Sequence, residues 1–219
     1  INGQKMGKSL GNFITLDQLF SGDHPLLEKS YSPMTIRFFI LQAHYRSTLD
    51  FSNEALAAAG RGYKKLMNGL RILRKMEYTP TDDVSIDEKQ EQEIIKLDAS
   101  CYGGLSDDFN TAITIASLFN VVKKVHTLQL NNALFNGINK ESFDNMKQTF
   151  ISLTTDVLGL LEEAPNNNEV IIEGLLEWYK LAKENKDYEQ IDRIRSWFKA
   201  CGMQIKDMKT SIDWAYEEA

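Results

Sequence analysis

Between Ser52 and Met76 the apolar residues recur with the 3.6-residue period of a helix. Leu56, Tyr63, Leu66, Leu70 and Leu73 share one face, while Arg61, Lys64, Lys65, Arg71 and Lys75 gather on the other. The pattern predicts a helix with a core side and a basic side, N-capped by Ser52. Upstream, residues 1–12 read as a Gly/Lys/Ser loop, Thr15 caps a short helix to Phe20, and Pro33 opens an apolar helix through Ile36, Phe38 and Leu41. Downstream, an acidic helix is expected from about Asp83 to Ala99. Another follows over Phe109 to Leu130, opened by Asp107-Asp108, with Ile113, Ala116, Val122 and Val125 as its apolar seam. A third runs from about Lys140 to Leu161. Pro165 and the asparagines at 166–168 mark a boundary, since asparagine favours turns and the run has nothing to bury. Beyond it come helices over Glu169–Glu184 and Tyr188–Ala200, the second stopped by Gly202. A β-hairpin follows, pairing Met203–Asp207 with Ile212–Tyr216 around Lys209-Thr210-Ser211.

The expected fold is therefore mainly α, an antiparallel helical bundle preceded by a loop and followed by a small α+β module with a terminal β-hairpin. Three regions are expected, at 1–50, 51–165 and 166–219. With 219 residues, 42% of them hydrophobic, the chain is long enough for separate cores, which excludes disorder as its main state. No stretch approaches the ~18 apolar residues of a membrane span. The two cysteines, Cys101 and Cys201, are too far apart for a CxxC spacing, which points to a reducing, cytoplasmic setting without a disulfide framework. The start, Ile-Asn-Gly-Gln-Lys, lacks an initiator methionine and reads as part of a longer chain.

Charge is segregated. Residues 1–76 carry 11 bases and 5 acids, whereas the whole chain has a formal charge of −6. A local basic surface on an acidic molecule suits a polyanion held at one place and excludes general polybasic adhesion. For the basic helix, a solvated face is the competing reading.

Gly3-Gln4-Lys5-Met6-Gly7-Lys8-Ser9 invites a phosphate-loop reading, but a Walker A element needs four residues between its glycines and here there are three. Two lysines on a mobile loop that closes over a polyphosphate fit the residues better, against the alternative of a flexible tail. His44, His126 and Asp107-Asp108 read more simply as packing and helix-capping groups than as metal or acid–base sites, and no His/Cys cluster offers a metal set. Trp178, Trp197 and Trp214 all follow the asparagine run. They could stack unpaired bases, although a module of about fifty residues also needs large rings for its core.

Lys5-Met6-Gly7-Lys8-Ser9-Leu10-Gly11-Asn12 resembles the KMSKS signature loop of class I aminoacyl-tRNA synthetases with its SLGN continuation. Arg37-Phe38-Phe39, His44-Tyr45-Arg46-Ser47, Leu49-Asp50-Phe51-Ser52 and Asp107-Asp108-Phe109-Asn110-Thr111 stand at the spacing of cysteinyl-tRNA synthetases. So do Lys186-Asp187-Tyr188, Ile191 to Arg195, Gly202, Ile205-Lys206-Asp207 and Trp214. The resemblance covers essentially the whole chain. It implies the C-terminal half of such an enzyme, with a bundle of the anticodon-binding type, in a parent that joins cysteine to tRNA(Cys) through cysteinyl adenylate. Lys5 and Lys8 would be catalytic. ATP would meet the loop residues Lys5, Met6, Gly7, Lys8 and Ser9. tRNA would meet Arg37, Arg46, Arg61, Lys64, Lys65, Arg71 and Lys75, and Asp192, Arg195, Asp207 and Trp214 would read the anticodon. Zinc, the HIGH signature and the nucleotide-binding fold are expected only upstream, and the parent is expected to be a monomer. Gly7 stands where the signature has serine, removing a hydroxyl and adding backbone freedom. A helical protein-interaction module is the rival reading, and a phosphate-loop nucleotidase a weaker third.

Overall fold

The computed structural model describes residues 1–81, 83–163, 169–208 and 211–217. The Pro165–Asn168 run and Lys209-Thr210 lie outside the described residues. Two compact units form, Ile1–Leu161 and Glu162–Ala219, so the loop, the segment after it and the bundle belong to one body.

In the first unit, α1 (Leu16–Ser21) is closed by a capping box between Thr15 and Gln18, and α2 (Pro33–Leu41) starts where the Ser32 hydroxyl accepts the Thr35 N–H. α3 (Asn53–Lys75) is N-capped by Ser52. Its apolar stripe is the centre of the core: Leu56, Tyr63, Leu66, Leu70 and Leu73 are all buried. α3 packs on α2 and on α5 (Thr111–Leu130), and the α3–α5 crossing is tight. A Cβ at Gly69 would lie 2.4 Å from Val122, so only glycine allows this approach.

α4 (Glu88–Ser106) begins later than its charge pattern predicts. The Ser85 and Asp87 N–H groups donate to the carbonyls of Asn136 and Gly137, which holds residues 85–87 out of the helix until the Asp87 carboxylate caps it by accepting from Lys89 and Gln90. α4 also continues past Ala99 to Ser106. The Asp107-Asp108 pair does not cap α5. Asn110 does, accepting the Ile113 N–H, while Asp107 closes α4, and Asp108 and Phe109 take left-handed backbone at φ 56° and 51°. The seam of α5 is rotated accordingly. Ile113 and Ala116 are exposed, and Ile115, Leu118, Val121, Val122, Val125 and Leu128 are buried. α6 (Lys140–Ser152) ends short of Leu161, passing through a π-helical turn at Leu153–Val157 into an irregular exit whose Gly159 has φ 61°.

In the second unit, α7 (Glu169–Glu184) and α8 (Tyr188–Ala200) pack beside an antiparallel pair, β1 (Met203–Asp207) and β2 (Ile212–Tyr216). Gly202, at φ 68°, makes the left-handed step between α8 and β1. Ile172, Tyr179, Ala182, Ile191, Ile194, Phe198 and Trp214 form the core, and the register sets Trp214 opposite Ile205.

Candidate RNA and nucleotide interface

The Lys5–Asn12 segment is an ordered loop. Its foot is tied by the Gly3 N–H, which donates to both carboxylate oxygens of Asp50 at 3.0 Å, and by the Asn2 N–H on the Phe51 carbonyl. The Gly3 hydrogen bond holds the Asp50 carboxyl below its usual range. At the tip, Lys8–Leu10 make one 3-10 turn ended by Gly11 at φ 69°. Asn12 joins the two arms: Oδ1 accepts the Gly7 N–H at 2.9 Å and Nδ2 donates to the Lys5 carbonyl at 3.0 Å. Lys5 and Lys8 are exposed, and the Lys8 ammonium rests 5.5 Å from the centre of the Phe13 ring. Gly7 is extended, at φ −162°, and a Cβ there would make ordinary contact with Leu10, so its backbone freedom is not used.

The two motifs around His44 and Asp108 meet in space. Asp108 accepts the Tyr45 hydroxyl at 2.8 Å and pairs with Arg46 at 3.2 Å. His44 stacks on Tyr45, and its Nδ1 accepts the Arg46 N–H, the structural role its setting suggests. The hydrogen bond to Asp108 pushes the Tyr45 phenol above its usual range. Arg37 is committed elsewhere. Its Nε donates to the Leu158 carbonyl at 2.8 Å, and its guanidinium lies against Gly159, where a Cβ would come within 2.6 Å. The Tyr63 hydroxyl donates to the Leu161 carbonyl, so two side chains grip the exit from the bundle.

Along α3, Arg61, Lys64 and Lys75 are exposed, whereas Lys65 is half-buried with its ammonium 5.9 Å from the Phe119 ring. Arg71 is only 5% exposed and does not belong to the basic surface. Residues 66–71 are all buried, so α3 is enclosed on every side at this level and a charge on its polar face is enclosed with it. Arg74 is exposed beside Lys75, and Lys147 of α6 donates to the Met76 carbonyl, adding a cation at the end of α3. Sequence reasoning missed both. Arg74 and Lys75 also complement the C-terminal end of the helix dipole.

In the second unit, Asp207 is the centre of a polar cluster. Lys183 donates to both of its oxygens at 2.8 and 2.7 Å, the Tyr179 hydroxyl lies 3.4 Å away, and Arg195 donates to that hydroxyl at 3.0 Å. A pocket of about 360 Å³ opens beside it, lined by Lys180, Lys183, Asp207, Met208 and Ile212 among others. Arg195 and Asp207 thus come together through Tyr179. Asp192 stands apart on the exposed side of α8, and Trp214, 4% exposed, is a core residue that cannot stack a base. Trp178 and Trp197 are the more open rings, 6.2 Å apart between centres. Tyr179 and Lys183 carried no sequence signal linking them to Asp207.

Among the described residues, no group of three or more His, Cys, Asp or Glu side chains could hold a metal ion, and no helix is long and apolar enough to cross a membrane. Cys101 is buried and its thiol is pushed up to about 12, so it is inert rather than nucleophilic.

Residues 1–61 match the family described as tRNA synthetases class I (C) catalytic domain, and residues 103–162 match the DALR domain. The first defines the class, that of the class I tRNA synthetases. Within it, the chain is 59% identical over 218 residues to the cysteine–tRNA ligase of Cytophaga hutchinsonii, matching 100% of this chain and 44% of that protein. It is 43% identical over 220 residues to that of Bacteroides thetaiotaomicron, and 31% identical over 235 residues to that of Persephonella marina, with 98% of this chain covered each time and 43% and 46% of the relatives. The chain belongs to the cysteine–tRNA ligase family and spans less than half the length of these relatives.

Proposed function

We propose that this chain supplies the signature loop and the tRNA-holding part of an enzyme that ligates cysteine to tRNA(Cys) with ATP. The cysteine carboxylate would attack the α-phosphorus of ATP and release pyrophosphate. The terminal ribose hydroxyl of the tRNA would then attack the cysteinyl carbonyl and release AMP. In the first step negative charge grows on the departing phosphates, and Lys8, with Lys5 assisting, stabilises it. The ammonium of Lys8 rests on a ring face rather than on a carboxylate, so its move to phosphate gives up no ion pair among the described residues.

For RNA, the exposed cations Arg61, Lys64, Arg74 and Lys75 would meet backbone phosphates, with Lys65 behind them. Arg46, steadied by Asp108, would meet the same ligand through its exposed edge, and Arg37 would serve by fixing the exit of the bundle. In the second unit, Lys183, Arg195 and Asp207 would offer donors and acceptors to unpaired anticodon bases, and Asp192, apart from them on the exposed side of α8, would offer a further acceptor. Alone, the chain would bind tRNA without activating cysteine.

The carrying observation is that one compact unit holds both an ordered, lysine-bearing signature loop and a cationic helix face, in a chain similar over its length to cysteine–tRNA ligases. The test is Lys8→Ala in the full-length enzyme. Cysteine-dependent ATP–pyrophosphate exchange should fall roughly 10²–10³-fold in kcat with little change in the KM for cysteine, the signature of a charge used in the transition state. An unchanged rate would mean that the loop has no catalytic part.

A further inference from the structure

We propose that Asn12 is a positioning residue for Lys8, a carboxamide latch that keeps the signature loop in the shape from which the ammonium reaches phosphate. The inference rests on the reading that Lys8 acts on the triphosphate. Both ends of the amide are used, and on opposite arms of the loop: Oδ1 on the Gly7 N–H, Nδ2 on the Lys5 carbonyl. The loop's other internal bonds, Leu10 N–H to Gly7 and Gly11 N–H to Lys8, belong to the turn at its tip. Asn12 therefore closes the ring in which Lys8 is carried, while Asp50 and Phe51 tie the foot.

A carboxamide carries an acceptor and a donor on separate atoms of one short planar group, which matches the two backbone partners on opposite arms. Aspartate would keep the bond to Gly7 and set a carboxylate against the Lys5 carbonyl. Alanine would lose both. The residue after the latch is Phe13, the ring on which Lys8 rests, so one short stretch fixes the backbone beneath Lys8 and parks its charge. With the backbone fixed, Lys8 needs only side-chain rotation to leave the ring for a phosphate. An unlatched loop would have to be ordered at the moment of reaction, and the lost pre-organisation would appear in kcat.

The test compares Asn12→Ala, Asn12→Asp and Lys8→Ala in the full-length enzyme. Both Asn12 variants should slow cysteine-dependent ATP–pyrophosphate exchange roughly tenfold or more in kcat, with the KM for cysteine within about twofold, and should leave transfer from preformed cysteinyl adenylate to tRNA at the wild-type rate. In the 219-residue chain, trypsin should cut after Lys5 and Lys8 faster in Asn12→Ala than in the wild type, with other sites unchanged. Wild-type exchange in Asn12→Ala alongside slow exchange in Lys8→Ala overturns the latch and leaves the role of Lys8 intact. No effect of Lys8→Ala overturns the underlying reading, and the latch with it. Rescue by aspartate would also overturn the latch, because it would show that the bond to Lys5 is dispensable.

Discussion

Single residues in this chain take their meaning from partners that the sequence does not display. Glu91 lies in the acidic helix α4, yet it is 8% exposed and accepts the Asn139 N–H at 2.8 Å, the Asn139 side-chain amide at 3.0 Å and the Ser142 hydroxyl. Burial alone would raise its pKa, but these hydrogen bonds outweigh burial and hold the carboxyl below its ordinary value. A depressed folded pKa means that the stabilisation is present above the unfolded value, ~4.3, and is lost as the pH falls through the folded value. Glu91→Gln should therefore destabilise the first unit by about 1.5–3 kcal/mol at pH 7, and the deficit should shrink as the pH falls below the unfolded value. Thermal melts of the two proteins across that range check this, and a deficit independent of pH would deny the ionised carboxylate its role. At Gly7 the outcome is the reverse. With an extended backbone and open contact, Gly7→Ser should shift stability by no more than about 0.5 kcal/mol, measured by urea unfolding.

At the scale of elements, local chemistry was legible where cap and period agree. Ser52 and the Leu56–Leu73 stripe predict α3, Thr15 predicts α1, and Gly202 predicts the step into the hairpin, because each is decided within one turn of chain. Legibility fails where a distant backbone decides. Residues 85–87 are drawn out of α4 by Asn136 and Gly137, and Asp108 is turned away from α5 to hold Tyr45 and Arg46. Arg71 belongs to the same lesson, since a helical wheel cannot tell that α3 is enclosed on every side at residues 66–71. Of the candidate site, the loop lysines and Arg61, Lys64 and Lys75 of α3 could be named in advance, but not Arg74, the Asn12 ring or the Lys183–Asp207–Tyr179–Arg195 cluster. Those depend on which side chains meet across the fold. Two predictions belong here. Gly69→Ala should cost about 1–3 kcal/mol by forcing α3 from α5 at Val122, read as a lower melting temperature. Charge reversal at Arg61, Lys64 and Lys75 together should cost no more than about 1 kcal/mol, the part Lys75 plays at the end of the α3 dipole, because all three are exposed, and should weaken tRNA binding.

At the scale of the whole molecule, the division into Ile1–Leu161 and Glu162–Ala219 separates the loop and basic helix from the Asp207 cluster. Ending the full-length enzyme at Leu161 should therefore spare cysteine-dependent exchange while narrowing the ratio of aminoacylation kcat/KM between tRNA(Cys) and a transcript with a substituted anticodon. A chain that holds RNA through phosphates must bind it with an affinity that depends on salt. The most direct measurement is the affinity of the isolated chain for tRNA(Cys) as a function of salt, beside the Arg61, Lys64 and Lys75 reversal. The expected result is an affinity that falls steeply with salt, with a slope of log K against log salt shallower in the variant by up to ~0.9 for each phosphate that the reversed side chains no longer neutralise. No binding, or binding indifferent to salt, would contradict it and favour a protein-interaction module.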